Sequence, residues 1–197
     1  MRLCLGWSLS VHRKNFGRNR VLKPSAAYTP ADEKEVLEIL DRHRGQSIRA
    51  VGRLHSWSEA VLGDGVQLDL RRLNGVLLEP DGDQFVATVG AGCQIKRLLK
   101  ELNRGGATLH SLGLITVQTI AGAISTGTHG SGRHSMSHYV EAVRLARYEE
   151  STGQAIIEEL SAGEPLEAAR CSLGSLGIIL TVKLRCRAQY NVQEHFT

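Results

Sequence analysis

The sequence predicts an α+β fold. Three observations point there: short apolar strands bounded by turn residues, two well-punctuated amphipathic helices, and no strict strand–helix alternation of the doubly wound kind. Residues 1–27 carry little periodicity and read as an irregular lead-in, with the domain proper placed from residue 22 to 187 and a tail over 188–197. "YTPADEKEVLEILDRHRG" is a helix. Thr29 can cap it, Pro30 suits the first turn, and Asp32 and Glu33 favour its positive end. Val36, Leu37 and Leu40 make its buried stripe and Gly45 ends it. "SIRAV" (47–51), "VQLDL" (66–70), "GVLLE" (75–79) and "FVATVG" (85–90) read as strands. "CQIKRLLKELNRGG" is a second helix, with Ile95, Leu98, Leu99 and Leu102 at helical spacing and Gly105 or Gly106 as its stop. "SHYVEAVRLARYE" (137–149) and "GIILTVKLRCR" (177–187) read as longer strands.

Composition narrows the function classes. The chain has 197 residues, 42% hydrophobic and 22% charged, enough for one sizeable core or two small lobes. A net charge of +4 is mildly basic, but the Lys and Arg residues are scattered, so nucleic acid is not indicated as a partner. Cys4, Cys93, Cys171 and Cys186 stand far apart with no CxxC pair, which suits reduced thiols in a cytoplasmic setting. The opening "MRLCLGWSLSVHRKN" is too short and interrupted for a signal peptide. No apolar run approaches the roughly 20 residues that span a bilayer; membrane association is left open.

Glycine is in excess, 21 residues, and its placement matters. From Leu102 through Val140 there is no Asp or Glu, although 20 acids are spread over the rest. Within that stretch lies "AGAISTGTHGSG" (121–132), where glycines interleave with Ser and Thr. Absent Cβ atoms let amide hydrogens approach a ligand, and the lack of carboxylates suits an anion such as a pyrophosphate. Thr116 can cap a short helix "VQTIAGAI" that adds its positive end. A glycine-rich loop packed on a neighbouring sheet is the alternative.

A second stretch, "RAVGRLHSWSEAVLGDG" (49–65), runs a strand into Gly52 and then His55-Ser56-Trp57-Ser58. Loops favour polar residues, so His55 reads either as a surface histidine or as the point where a ligand is fastened. Other motifs fail. Gly90-Ala91-Gly92 imitates a dinucleotide fingerprint, but Ile95 stands where its third glycine belongs and no ribose-holding acid follows. A tight strand-to-helix turn explains those glycines. His110, His129, His134 and His138 lack carboxylate or thiol company, so no metal site is expected.

Taken together, "IRAVGRLHSWSE", "LDLRRLNGVL", "ATVGAGCQIKRLLKELNRGGATLHSLGLITVQTIAGAISTGTHGSG" and "CSLGSLGIILTVKLRC" resemble the FAD-binding domain of the vanillyl-alcohol-oxidase-type flavoproteins, in particular sugar-lactone (gulonolactone and arabinonolactone) and alditol oxidases. The resemblance implies a two-lobed, PCMH-type α+β domain with mixed and antiparallel sheets, lobe one over about 22–84 and lobe two over about 85–187. It implies FAD as cofactor, tethered through its 8α-methyl to the histidine of the first loop, here His55. Gly52, Arg53, Leu54 and Ser56 would wrap the pyrophosphate and ribityl chain through main-chain groups. Ser111 and Gly113, Thr116 and Thr119, and Gly122, Ser125, Thr128 and His129 would line the other side. Ile178 and Ile179 match the strand that grips the adenine end.

Relatives of this kind continue into a substrate domain with a His-Trp-x-Lys segment, and this chain ends before it. The resemblance therefore implies a flavin domain that oxidises a hydroxyl of a sugar-like substrate, with dioxygen or another acceptor. A non-catalytic FAD-binding module is the alternative, and noncovalent flavin a further one. No catalytic base is assignable.

Overall fold

The computed structural model describes residues 13–59 and 64–195. Two sheets organise the chain. The smaller is parallel, with β5 (Val66–Asp69) between β3 (Ala26–Tyr28) and β4 (Ile48–Val51), in the register Ala26↔Val66 and Ile48↔Val66. The larger is antiparallel. Its path is β10 (Ala155–Leu160), β9 (Val140–Tyr148), β11 (Ile178–Ala188), β7 (Gln84–Gly90) and β6 (Val76–Asp81), with β8 (Ala107–Leu109) also paired to β11. β6 pairs with β7, so both belong to the antiparallel sheet. The lead-in is more ordered than read. Arg13–Lys14 (β1) and Val21–Leu22 (β2) form a hairpin, and β3 joins the parallel sheet; residues 1–12 lie outside the described residues.

Helix α1 (Glu33–Arg42) is capped by Asp32, not Thr29: the Asp32 carboxylate accepts from the Glu35 amide at 2.9 Å. Glu35 Oε2 in turn accepts from the Ala31 amide at 2.7 Å, so two end donors are satisfied reciprocally. Its buried stripe is Val36, Ile39 and Leu40, with Leu37 only partly covered. Helix α2 (Ile95–Arg104) buries Ile95, Leu98 and Leu102 and stops at Gly105. Helix α3 (Ile120–Ser125) starts from Thr119, three residues beyond the expected Thr116 cap, whose carbonyl instead accepts from the Lys96 amide at 2.8 Å. A 3-10 turn (Met136–Tyr139) replaces the start of the strand expected over 137–149. Helix α4 (Gly163–Arg170) completes the set.

One continuous core runs from Val36 of α1 through both sheets to Cys186 of β11. Polar ties reinforce it. Arg144 of β9 holds Glu33 of α1 through paired hydrogen bonds of 3.0 and 2.9 Å, and Tyr148 donates to the Leu40 carbonyl at 2.6 Å. The lobes therefore share a packed boundary.

Candidate functional site

Beyond Val51 the chain leaves the parallel sheet as a loop over residues 52–58. Gly52 brings the two walls close: a Cβ at that position would lie 2.4 Å from Thr119 Oγ1 on the facing lobe, so a larger residue would displace the Thr119 hydroxyl. Leu54 then adopts φ +57°, a left-handed conformation that a leucine tolerates only under local constraint. That reversal keeps residues 53–57 out of any ladder. Among the described residues, the amide hydrogens of 53–57 meet no protein acceptor. His55 is half-buried and its ring stacks on Phe16, centroids 4.7 Å apart and planes 21° from parallel. Burial, helped by the Arg53 charge, holds the imidazole pKa below its usual range, so the ring is uncharged at neutral pH.

The facing wall comes from the second lobe. Ala91 and Gly92 precede α2, and Gln118 and Thr119 lead into α3, which presents Ala121, Gly122 and Ser125. Gly92 lets two chain segments touch: a Cβ there would fall 1.8 Å from the Leu70 carbonyl oxygen. Thr119 makes no side-chain cap bond, and its hydroxyl sits against Gly52 and Gly122 instead. A third side is the link from α4 to β11, with Leu173 at φ +52°, Gly174, Gly177 and Ile179.

These walls enclose a cleft of about 420 Å³, within the range of small-molecule and cofactor sites. Its lining contains no carboxylate and two guanidinium-bearing residues, Arg49 and Arg53. The cleft thus joins a neutral imidazole, unpaired amide donors and positive charge. That combination suits an anionic ligand bearing an electrophilic carbon.

Not all the residues singled out in the sequence meet here. Gly52, Arg53, Leu54, His55 and Ser56 line the cleft, as do Thr119, Gly122, Ser125 and Ile179. Ser111, Gly113, Thr116, Thr128, His129 and Ile178 do not. Ser111 Oγ accepts from the Gly130 amide at 3.4 Å, a Cβ on Gly113 would meet Thr128 at 2.8 Å, and Ile178 is buried in β11. His129 is spent locally, its Nδ1 2.9 Å from the Gly130 carbonyl. Sequence reasoning missed Ala91, Gly92, Leu173, Gly174 and Gly177 as wall residues. The available signals were the repeated glycines of "GAG" and "SLGSLG". Among the described residues no group of three or more His, Cys, Asp or Glu converges as a metal site.

A family model described as an FAD-binding domain matches residues 24–156. This chain belongs to that FAD-binding domain family. It is 84% identical over 187 residues to a long-chain alcohol oxidase from an uncultured marine euryarchaeote, covering 95% of this chain and 39% of that protein. It is 32% identical to L-gulonolactone oxidase of Bos taurus, covering 93% of this chain and 42% of that one. With D-arabinono-1,4-lactone oxidase of Eremothecium gossypii the identity is 34%, over 91% of this chain and 35% of the relative. The FAD-binding domain therefore spans about two fifths of the length of the curated relatives it matches. Its fold matches a solvent-stable cholesterol oxidase at a TM-score of 0.79 and 20% identity, covering 90% of this chain and 37% of that one. The cleft fits the cofactor of such a domain: a diphosphate needs donors without competing carboxylates, and the 53–57 amides and the glycine-lined facing wall provide them.

Proposed function

We propose that this FAD-binding domain is the cofactor half of an oxidoreductase acting on a CH–OH group, with its flavin tethered covalently to His55. The observation carrying this reading is a half-buried, uncharged His55 on a carboxylate-free cleft wall of unpaired amides. The amides of residues 53–57 and the Arg53 guanidinium would hold the diphosphate; Thr119, Gly122, Ser125 and Ile179 would close the other side. When bound, FAD supplies two-electron redox chemistry, accepting a hydride from the carbinol carbon and passing electrons to dioxygen or another acceptor. His55 contributes a lone pair on an unprotonated ring nitrogen. Tethering exchanges an imidazole N–H and one C–H of the 8α-methyl for an N–C bond; the two electrons and two protons released go to dioxygen, giving hydrogen peroxide.

A sugar lactone or alditol is the proposed substrate class, supported by the gulonolactone and arabinonolactone oxidase relatives. The 84%-identical relative favours a second reading, a long-chain alcohol, and Leu112, Leu114 and Ile115 expose apolar surface that such a chain could use. Cys93, Cys171 and Cys186 are free thiols, which supports a reducing, cytoplasmic compartment. No helix among the described residues is long and apolar enough to cross a membrane.

The test begins with the visible spectrum of the purified protein, followed by acid precipitation. Yellow colour in the pellet is expected, and His55→Ala should release it to the supernatant. Peroxide release by the full-length protein with gulonolactone, xylitol or a long-chain alcohol then assigns the substrate class. No peroxide with any of them supports the non-catalytic module.

A further inference from the structure

The hairpin of β1 and β2, residues 13–22, precedes the matched family region and lies directly against the His55 loop. Its centre is Asn15, only 2% exposed. The Asn15 amide group donates to the Ser56 carbonyl at 2.9 Å and to Asn19 Oδ1 at 2.8 Å, while its own Oδ1 accepts from the Arg20 amide at 3.0 Å. Next to it, the Phe16 amide donates to the Leu54 carbonyl at 2.8 Å, the carbonyl of the residue with the left-handed backbone. Gly17 brings the hairpin so close to Trp57 that a Cβ there would lie 2.7 Å from the ring. The hairpin therefore fixes the loop at Leu54, Ser56 and Trp57, and between those points Phe16 stacks on the His55 ring. Phe16 is 61% exposed, so its ring is not there to fill the core.

We propose that Phe16 is a positioning residue for flavin attachment, holding the His55 imidazole in the orientation from which its nitrogen reaches the cofactor. This rests on the reading of His55 as the tether. The physical basis is that a free loop histidine samples several χ1 and χ2 wells, whereas a stacked aromatic face leaves one ring plane accessible. Bond formation requires the nitrogen lone pair to point at the reacting carbon, and losing that alignment slows the step without removing the nucleophile.

The experiment follows acid-stable flavin over time after adding FAD to protein made flavin-poor, in wild type, Phe16→Leu, Phe16→Tyr and His55→Ala. Phe16→Leu should slow covalent incorporation on the order of tenfold or more, with dissociable FAD still bound. Phe16→Tyr should restore the wild-type rate, which a role in bulk packing alone would not require. In the flavin-free protein, the His55 Cε1–H resonance should also lose its ring-current shift in Phe16→Leu. Incorporation in Phe16→Leu at the wild-type rate, with His55→Ala inactive, overturns the positioning role and leaves the tether intact. Only dissociable flavin in the wild type overturns the tether itself, and with it the role of Phe16. If Phe16→Leu no longer melts cooperatively, Phe16→Met takes its place in both measurements; a His55 resonance left unshifted on deleting the ring overturns the stacking.

Discussion

The loop over 52–58 and the segment over 111–130 both combine glycine with serine hydroxyls and a histidine, yet the fold uses them differently. In the loop, the amides of residues 53–57 find no protein partner among the described residues, and these residues line a cleft. In the segment, α3 reaches the cleft, while three amides beyond it are taken up locally: Gly130 donates to Ser111, Thr128 donates to Ala123, and Met136 donates to Thr128. Glycine abundance therefore does not separate binding from packing. What separates them is position: Gly52, Arg53, Leu54, His55 and Ser56 line the cleft, whereas Ser111, Gly113, Thr128 and His129 do not.

The largest effect expected from breaking this contrast is at His55. His55→Ala should remove all acid-stable colour while the amide wall still binds FAD reversibly, read by absorbance before and after precipitation. Loss of both would mean that the loop collapses without its histidine and that its open amides are not preorganised.

Next in size is the pH dependence of attachment. Only the unprotonated imidazole can form the bond, so the rate should rise with pH and level off above the pKa of His55. Burial and Arg53 lower that pKa, so the midpoint should fall below the ordinary 6.5. Below the midpoint the rate should drop about tenfold per pH unit. A midpoint above 6.5 in a stopped-time pH series would contradict the desolvated geometry.

A paired test then compares the two regions directly. Gly122→Val puts a branched side chain into the cleft beside Thr119 and should weaken reversible FAD binding about tenfold or more, roughly 1.4 kcal/mol. His129→Ala lies off the cleft and should leave the dissociation constant within about twofold, since exposed changes away from special features cost within about 0.5 kcal/mol. Fluorescence titration of free FAD reads both. Equal losses would place the Thr128–Gly130 flank back in the binding wall.

Much of this fold was legible because period and punctuation are local. The stripes of α1 and α2 and the strands β4 and β5 follow from spacing alone, whereas β3 fell mostly in the stretch read as irregular. Caps were harder: Thr29 and Asp32 are both good cap residues three positions apart, and Asp32 prevails because its carboxylate takes the Glu35 amide while Glu35 takes the Ala31 amide. Helix α4 and β10 escaped notice because "AIIEEL" forms an edge strand of middling burial, without clean alternation. At the site, the two motif halves were readable and do meet, Gly52 against Thr119. The third wall was not, because Leu173 and Gly174 reach the cleft only through the return of β11 between β9 and β7. The clamp by Asn15 and Phe16 was invisible for the same reason, since its partners are some forty positions away.

The smallest expected effect is also the most discriminating about loop geometry. Leu54 holds φ +57° beside His55, where a glycine would sit without strain. A left-handed leucine costs roughly 1–2 kcal/mol, and placing glycine there costs about 0.5–1 kcal/mol in unfolded-chain entropy. The two nearly cancel, so Leu54→Gly should change unfolding free energy by no more than about 1 kcal/mol in urea titration. Leu54→Val goes the other way: β-branching is far less compatible with positive φ, so it should destabilise by more than about 1 kcal/mol. If instead valine is tolerated as well as glycine, the loop reaches the cleft by another backbone route, and residues 53–57 line it without a constraint from Leu54.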